Sequence, residues 1–353
     1  MDVNLLRRLS EAPGVSGNEG AVRRIVAEAL RDHADRLWAD TIGNVFALRR
    51  GAAPPEGGVS DPGAGFRVMV AAHMDEVGLM VTDIGDDGSL SFEAVGGIDA
   101  RVLVSQPVRV GGSGVPGVIG VKPVHLTAGG EREQAVAIGS LRIDIGADGR
   151  DAAARRVKRG DYAVFATEML DLGPTLLGKA FDDRGGCAML LDLLADRYPF
   201  DVCGVFTVQE EVGLRGARVA AHALAPQAAF VLECGITDDT PKKRDDTPVT
   251  RLGHGPAITV MDSTMIADPR LVRHLVATAE AEGIPYQLRA PKGGGTDGGR
   301  IHLAREGVPT AVVSIPCRYL HTPASLISKS DFENAVRLVR AALHRLTPEV
   351  VAR

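Results

Sequence analysis

The stretch Val205-Phe-Thr-Val-Gln-Glu-Glu-Val-Gly213 closes a run of β-forming residues on two adjacent carboxylates and a glycine. A strand that ends this way delivers charge to the edge of a sheet, where open α/β sheets keep their ligand crevices. Neighbouring strand residues point to opposite faces, so Glu210 and Glu211 share one site only if the chain turns there, and Gly213 permits the turn. One carboxylate is then free to hold a metal while its neighbour handles protons. Taken alone, the nine residues read more simply as a solvated Glu-Glu pair, so the decision falls to the rest of the chain.

Upstream, Phe66-Arg-Val-Met-Val-Ala-Ala72 reads as a buried strand that ends on His73-Met-Asp75. Before it, helical spacing runs over 3–11, Ser16-Gly-Asn-Glu19 has the form of a capping box for a helix to about residue 35, and two short strands cover 36–40 and 44–49. The Gly- and Pro-rich segment 51–65 is a surface loop. After residue 166 helices are expected over 183–196, 214–223, 268–282, 297–305 and 329–346, and strands over 202–208, 228–233, 257–260, 286–290 and 310–315. Between about 77 and 164 the pattern is short alternating strands split by turns such as Asp86-Asp87-Gly88, with one short helix over 150–158, which is how a small inserted β-barrel reads. The expected fold is α/β: a mixed-sheet, phosphorylase/hydrolase-like domain formed by 1–76 and 164–353, interrupted by a β-rich domain over 77–163.

A chain of 353 residues, 45% of them hydrophobic, buries a core large enough for two such domains. A formal charge of -5 speaks against a nucleic-acid partner, because phosphate binding needs clustered cations. The two basic clusters, Arg155-Arg156-Val-Lys158-Arg159 and Lys242-Lys243-Arg244, are flanked by Asp and read as solvated surface. There is no run of about 18 apolar residues and no apolar leader segment, so no membrane is expected. Cys187, Cys203, Cys234 and Cys317 are far apart and embedded in apolar runs, as thiols buried in a reducing, cytoplasmic compartment would be.

Potential ligands sit at the ends of the expected strands: His73 and Asp75, Glu210 and Glu211, and Glu233, with Asp182-Asp183 ahead of a helix and His321 beyond the last strand. Divalent ions accept imidazole and carboxylate together, and two ions about 3.5–4 Å apart need a bridging carboxylate, for which Asp182 is the central candidate. If His73 and Glu233 complete one ion and Glu211 and His321 the other, a water activated between them supplies a nucleophile at neutral pH. Glu210 is then placed as general base, and Asp75 orients His73 from behind. Zinc and cobalt suit such a mixed N/O set equally.

The segments His73-Met-Asp-Glu-Val-Gly78, Gly178-Lys-Ala-Phe-Asp-Asp-Arg184, Gln209-Glu-Glu-Val-Gly213, Gly293-Gly-Gly-Thr-Asp297 and Arg318-Tyr-Leu-His-Thr-Pro323, taken in order, resemble the glutamyl/leucyl aminopeptidase family that contains the tetrahedral and deblocking aminopeptidases. The resemblance implies two divalent metal ions per subunit, with His73, Asp182 and Glu233 on one and Asp182, Glu211 and His321 on the other. It implies Glu210 as the base, Asp75 behind His73, and a non-proline cis bond at Asp182-Asp183. It further implies peptide substrates cut at their N-terminal residue, and a homo-oligomer, dimer or tetrahedral dodecamer, built through the inserted domain. Many relatives carry aspartate where Glu233 stands.

Other readings compete. A related two-metal deacylase or carboxypeptidase uses the same chemistry, and a glycosidase reading of Glu210 and Glu211 leaves His73, Asp182 and His321 idle. A non-catalytic assembly protein would be expected to lack ligands. Gly293-Gly-Gly-Thr-Asp-Gly298 matches a dinucleotide fingerprint in letters only, without the βαβ setting; Thr296 or Asp297 is expected near a bound peptide. His125 resembles a position that neighbouring subunits of relatives bring towards the site, while His33, His222, His254, His274, His302 and His344 have no ligand spacing.

Overall fold

The structure, a computed structural model, describes residues 1–52, 65–127, 129–130, 135–240, 250–289 and 293–352. Most of the expected loop at 51–65, the cluster Lys242-Lys243-Arg244 and the end of the strand expected over 286–290 therefore lie outside the described residues.

Four parallel strands form the centre of an eleven-stranded mixed sheet: Asp201–Thr207, Arg67–His73, Ala228–Thr237 and Thr310–Arg318. Each is an almost unbroken apolar run because both of its faces are covered. On one face the helix Phe181–Leu193 packs with Val3–Glu11, Gly20–Leu30, Pro269–Glu282 and Lys329–Arg345 around Val68, Val70, Phe230 and Val313. On the other, Arg215–Leu224 covers Met69, Ala71, Val205 and Val231. The Phe181–Leu193 helix is buried nearly all round, and Gly185 lets it approach the sheet: a Cβ there would stand 2.8 Å from Cys234 Sγ, while one on Gly186 would meet the Asp183 carboxylate.

The strands Gly78–Ile84, Leu90–Val95, Pro107–Val110, Val115–Gly120, Arg142–Asp144 and Tyr162–Phe165 close into a six-stranded antiparallel barrel with its own core of Leu79, Leu90, Phe92, Val108, Val110, Ile119 and Ile143. Closure removes the exposed edges that short strands otherwise leave. The expected α/β fold with an inserted small barrel is therefore the observed architecture, and among the described residues no helix is long and apolar enough to cross a membrane.

Several elements differ from expectation. The second helix stops at Leu30, the helix at Arg150 ends at Ala154, and the one after Asp297 covers only Gly298–Ile301. The last central strand runs on through Pro316 to Arg318, because Pro316 falls in a gap on one edge: one antiparallel neighbour ends at Ser314 and the next begins at Cys317. The short strands Leu170–Asp171, Thr175–Gly178 and Ser325–Ser328 escape a periodicity reading for want of length.

Beneath the strand that ends at His73, a wholly buried ion cluster ties the elements together. Lys179 Nζ meets both Glu76 oxygens at 2.7 and 2.9 Å, and Arg184 lies 3.3 Å from Glu76 Oε1 while donating to the carbonyls of Met74 and Ala12. Glu76→Gln leaves two buried cations without their counter-charge. It is expected to lower unfolding free energy by about 3–5 kcal/mol, read by urea denaturation; an unchanged midpoint would show the cluster to be slack.

Candidate metal centre and active site

One turn brings Glu210 and Glu211 together. The central strand ends at Thr207, earlier than expected, so Glu210 and Glu211 lie in a turn rather than at the strand's end. Gln209 at φ 56° and Gly213 at φ 123° bend the chain so that both carboxyls enter one site. Asp75 holds this turn: its Oδ1 accepts the Glu210 N–H at 2.9 Å, and its Oδ2 accepts the Glu211 N–H at 3.1 Å and the Ser16 hydroxyl at 2.6 Å. Glu19 adds a brace by accepting the N–H groups of Gly17 and Gln209 at 2.7 and 3.2 Å. Ser16 and Glu19 therefore do not form the expected capping box, and the helix starts without a side-chain cap.

His73 ends its strand opposite Thr207. Its Nδ1 lies 3.1 Å from the Asp75 carbonyl and 3.5 Å from the Asp75 carboxylate, so the backbone oxygen is the nearer orienting partner. Its Nε2 lies 3.2 Å from Asp182 Oδ1, 3.7 Å from Glu233 and 4.0 Å from Glu210. On the other side His321 Nε2 lies 3.2 Å from Asp182 Oδ2 and 3.2 Å from Glu211, while its Nδ1 meets the Gly97 carbonyl of the barrel segment at 2.9 Å. Asp182 thus presents one oxygen to each histidine. The Asp182-Asp183 peptide bond is cis, and Asp183 is held by the N–H groups of His73 and Gly186 at 3.1 and 2.9 Å.

The donor set fits divalent cations. Within His73, Asp182 and Glu211, and within His73, Glu210 and Glu233, one ligand atom per residue lies within 4.8 Å of the others. Glu211 Oε1 and Glu233 Oε1 are buried without a hydrogen-bond partner, an arrangement that buried carboxylates avoid unless a cation faces them. Imidazole nitrogens among carboxylate oxygens suit zinc or its first-row neighbours.

Residues 58–338 match the M42 glutamyl aminopeptidase family. The chain belongs to this family of peptidases. It is 34% identical to the lysyl aminopeptidase of Pyrococcus furiosus over 99% of this chain and 98% of that one. Its fold superposes on an aminopeptidase from the archaeon Desulfurococcus kamchatkensis with a TM-score of 0.92 at 38% identity, covering 99% and 96% of the two chains. The TET1 peptidase of Pyrococcus horikoshii, which assembles into a tetrahedron or a large octahedral shell, gives 0.85 at 32% identity over 98% and 99%.

The electrostatics of this M42 site follow from crowding carboxylates out of water. Burial pushes Glu211 up to about 8, with His321 opposing and Asp182 adding to the rise. Burial likewise lifts Glu210 and Glu233 well above the ordinary carboxylate range, through Asp297 and Asp183 respectively as well. Burial alone would depress the two histidines. Glu210, Asp182 and Asp75 outweigh it at His73, and Asp182 and Glu211 lift His321 to about 9. Asp182 is lowered despite its burial, because both imidazoles bond to it. Carboxylates exceed side-chain cations here, so the site demands added positive charge.

All seven expected site residues converge on one cavity of about 800 Å3 or lie directly behind it. Gly294 and Gly295 line the same cavity, and the four-residue helix that follows is too short to serve a dinucleotide phosphate. Thr296 bonds Asp262 at 3.1 Å, and Asp297 accepts the Thr207 hydroxyl at 2.5 Å with its other oxygen unpartnered. His274 and His302 bond backbone carbonyls, and His125 sits exposed on a short 3-10 turn. Sequence reasoning missed Ser16, Glu19 and Gly97. Ser16 and Glu19 had a local motif that explained them, and Gly97 contributes only a backbone oxygen.

Proposed function

We propose that this chain is a metal-dependent aminopeptidase that hydrolyses the first residue from peptides. His73, Asp182 and Glu233 hold one divalent ion, zinc or cobalt, and Asp182, Glu211 and His321 hold a second. The observation that carries this reading is Asp182, whose two oxygens stand 3.2 Å from two histidines on opposite sides. When bound, such ions make a water acidic enough to attack at neutral pH and polarise the scissile carbonyl. Glu210, which lies 4.0 Å from His73 and is not needed as a ligand, would serve as the base that takes a proton from the attacking water and passes it to the departing amine. Asp75 is a positioning residue: by gripping the N–H groups of Glu210 and Glu211 it keeps base and ligand in one geometry.

The cavity volume suits a short unfolded peptide. Residues 77–163, around the closed barrel, are proposed as the dimerisation domain of a homo-oligomer, in keeping with the assembly described for the TET1 peptidase. Family names include both glutamyl and lysyl aminopeptidases, so membership leaves the preferred side chain open.

A defined ten-residue peptide, incubated with zinc-loaded protein and followed by mass spectrometry, is expected to lose single residues from its amino end and to stay intact after chelation. Trimming from the carboxyl end would overturn the proposal in favour of a carboxypeptidase. Release of an N-acyl group alone would favour a deacylase.

A further inference from the structure

Glu19 stands at the N-cap of the helix Gly20–Leu30, a position whose side chain ordinarily bonds the first free N–H groups of its own helix. It makes no such bond. Its Oε1 instead accepts the N–H of Gly17 at 2.7 Å and that of Gln209, 190 residues further on, at 3.2 Å. The residue is only 2% exposed, and burial raises its carboxyl above the ordinary range, with the Gly17 and Gln209 N–H groups opposing. A helix start left uncapped and a carboxyl taken out of water are both unfavourable locally, and nothing in the adjacent helix compensates them. The segment from which Glu19 reaches is itself pinned to the strand that carries His73: the Glu76 N–H donates to the Gly14 carbonyl at 3.0 Å, the Gly14 N–H to Glu76 Oε1 at 3.1 Å, and the Ser16 hydroxyl to Asp75 at 2.6 Å.

At the far end of the bond, Gln209 has φ 56°, a conformation that residues other than glycine rarely adopt and that the surroundings must hold in place. The next residue is Glu210. The N–H groups of Gln209, Glu210 and Glu211, consecutive in the chain, are all accepted by buried carboxylates from outside the turn: the first by Glu19, the other two by Asp75. Asp75 thus holds the residues that carry the two acids, and Glu19 holds the bend that aims them.

We propose that Glu19 is a positioning residue for the base: by accepting the Gln209 N–H it keeps the left-handed bend that turns Glu210 into the cavity of the metal-ligand cluster. The assignment rests on the aminopeptidase reading and deepens it. The bond needs an acceptor oxygen at the reach of a glutamate and does not need a negative charge. Glu19→Gln therefore keeps it, whereas Glu19→Asp, one methylene shorter, and Glu19→Ala lose it.

The test uses zinc-loaded wild type and these three variants on the aminoacyl-p-nitroanilide that the wild type cleaves fastest. Glu19→Asp and Glu19→Ala are expected to lower kcat by about 10- to 100-fold with KM and zinc content unchanged, and Glu19→Gln to keep most of the wild-type kcat. Hydrogen–deuterium exchange over residues 208–213 reads the bend without turnover: it should quicken in the Asp and Ala variants and not in the Gln variant, while the central strands exchange as before. Should Glu19→Ala fail to fold, the contrast between Gln and Asp carries the test. Wild-type kcat in Glu19→Asp, unchanged exchange over 208–213, or a Gln variant as impaired as the Asp variant overturns the assignment. A fall in kcat matched by a fall in zinc content or in folded protein makes Glu19 a structural residue and overturns it equally. Exchange that responds as expected in a protein whose wild type cleaves no aminoacyl substrate overturns the aminopeptidase reading and leaves the role of Glu19 in the turn standing.

Discussion

Glu210→Gln is expected to lower kcat by about 10²- to 10⁴-fold while leaving metal content unchanged. The amide keeps the volume of the carboxyl and its backbone N–H bond to Asp75, so the turn that carries Glu211 stays in place. What is lost is the atom proposed to take the proton. The two acids of this turn are not equivalent: Glu211 lies 3.2 Å from His321 in the ligand set, whereas Glu210 approaches His73 only to 4.0 Å. Glu210 also contributes to the raised pKa of His73, so the substitution makes His73 easier to deprotonate and does not oppose metal binding at that imidazole. Elemental analysis beside steady-state kinetics on an aminoacyl anilide reads both quantities. Full turnover in the variant would remove Glu210 from the base role, and a joint loss of metal and turnover would make it a ligand.

Chelation is expected to abolish hydrolysis and to leave a protein whose stability falls as pH rises. In the metal-free fold burial raises Glu211 from 4.5 to about 8, so the folded chain holds a proton there that the unfolded chain releases. Its stabilising contribution is complete below 4.5 and is lost as pH climbs through about 8. Glu210 and Glu233 shift in the same direction. His321, raised from 6.5 to about 9, contributes fully below 6.5 and loses that contribution as pH passes 9. Asp182 is lowered, so its contribution disappears only on acidification below the ordinary aspartate range. The metal-free protein should therefore melt at a lower temperature at pH 8.5 than at pH 6, and added zinc should raise the melting temperature more at the higher pH, where ligands need not release protons. Melting temperatures at both values, with chelator and with zinc, check this. A chelated protein that grows more stable across the interval, or is indifferent to zinc, would contradict it.

Much of this site was legible because parallel strands with both faces buried read as apolar runs, and the polar residues that close them stand out. His73 follows Val68 to Ala72, and Glu233 follows the apolar run Ala228 to Leu232. The barrel was equally legible from its short alternating strands and turns. Residues that act through distant backbone were not. Ser16 and Glu19 have the spacing of a capping box, yet their partners lie 59 and 190 residues away in Asp75 and Gln209. No local rule anticipates that a tertiary bond will take a residue from its nearest helix. Asp75 was read as the partner of the His73 ring, whereas its carboxylate mainly grips the turn that carries Glu210.

The central claim is that one buried cluster holds divalent ions and uses them on peptides with a free amino end. The most direct test is hydrolysis of a panel of aminoacyl anilides and their N-acetylated counterparts, assayed after chelation and again after zinc or cobalt is restored. The account predicts cleavage confined to unblocked substrates, absent under chelation and recovered with metal. Cleavage of acetylated substrates alone, or undiminished cleavage with the metals removed, would contradict it.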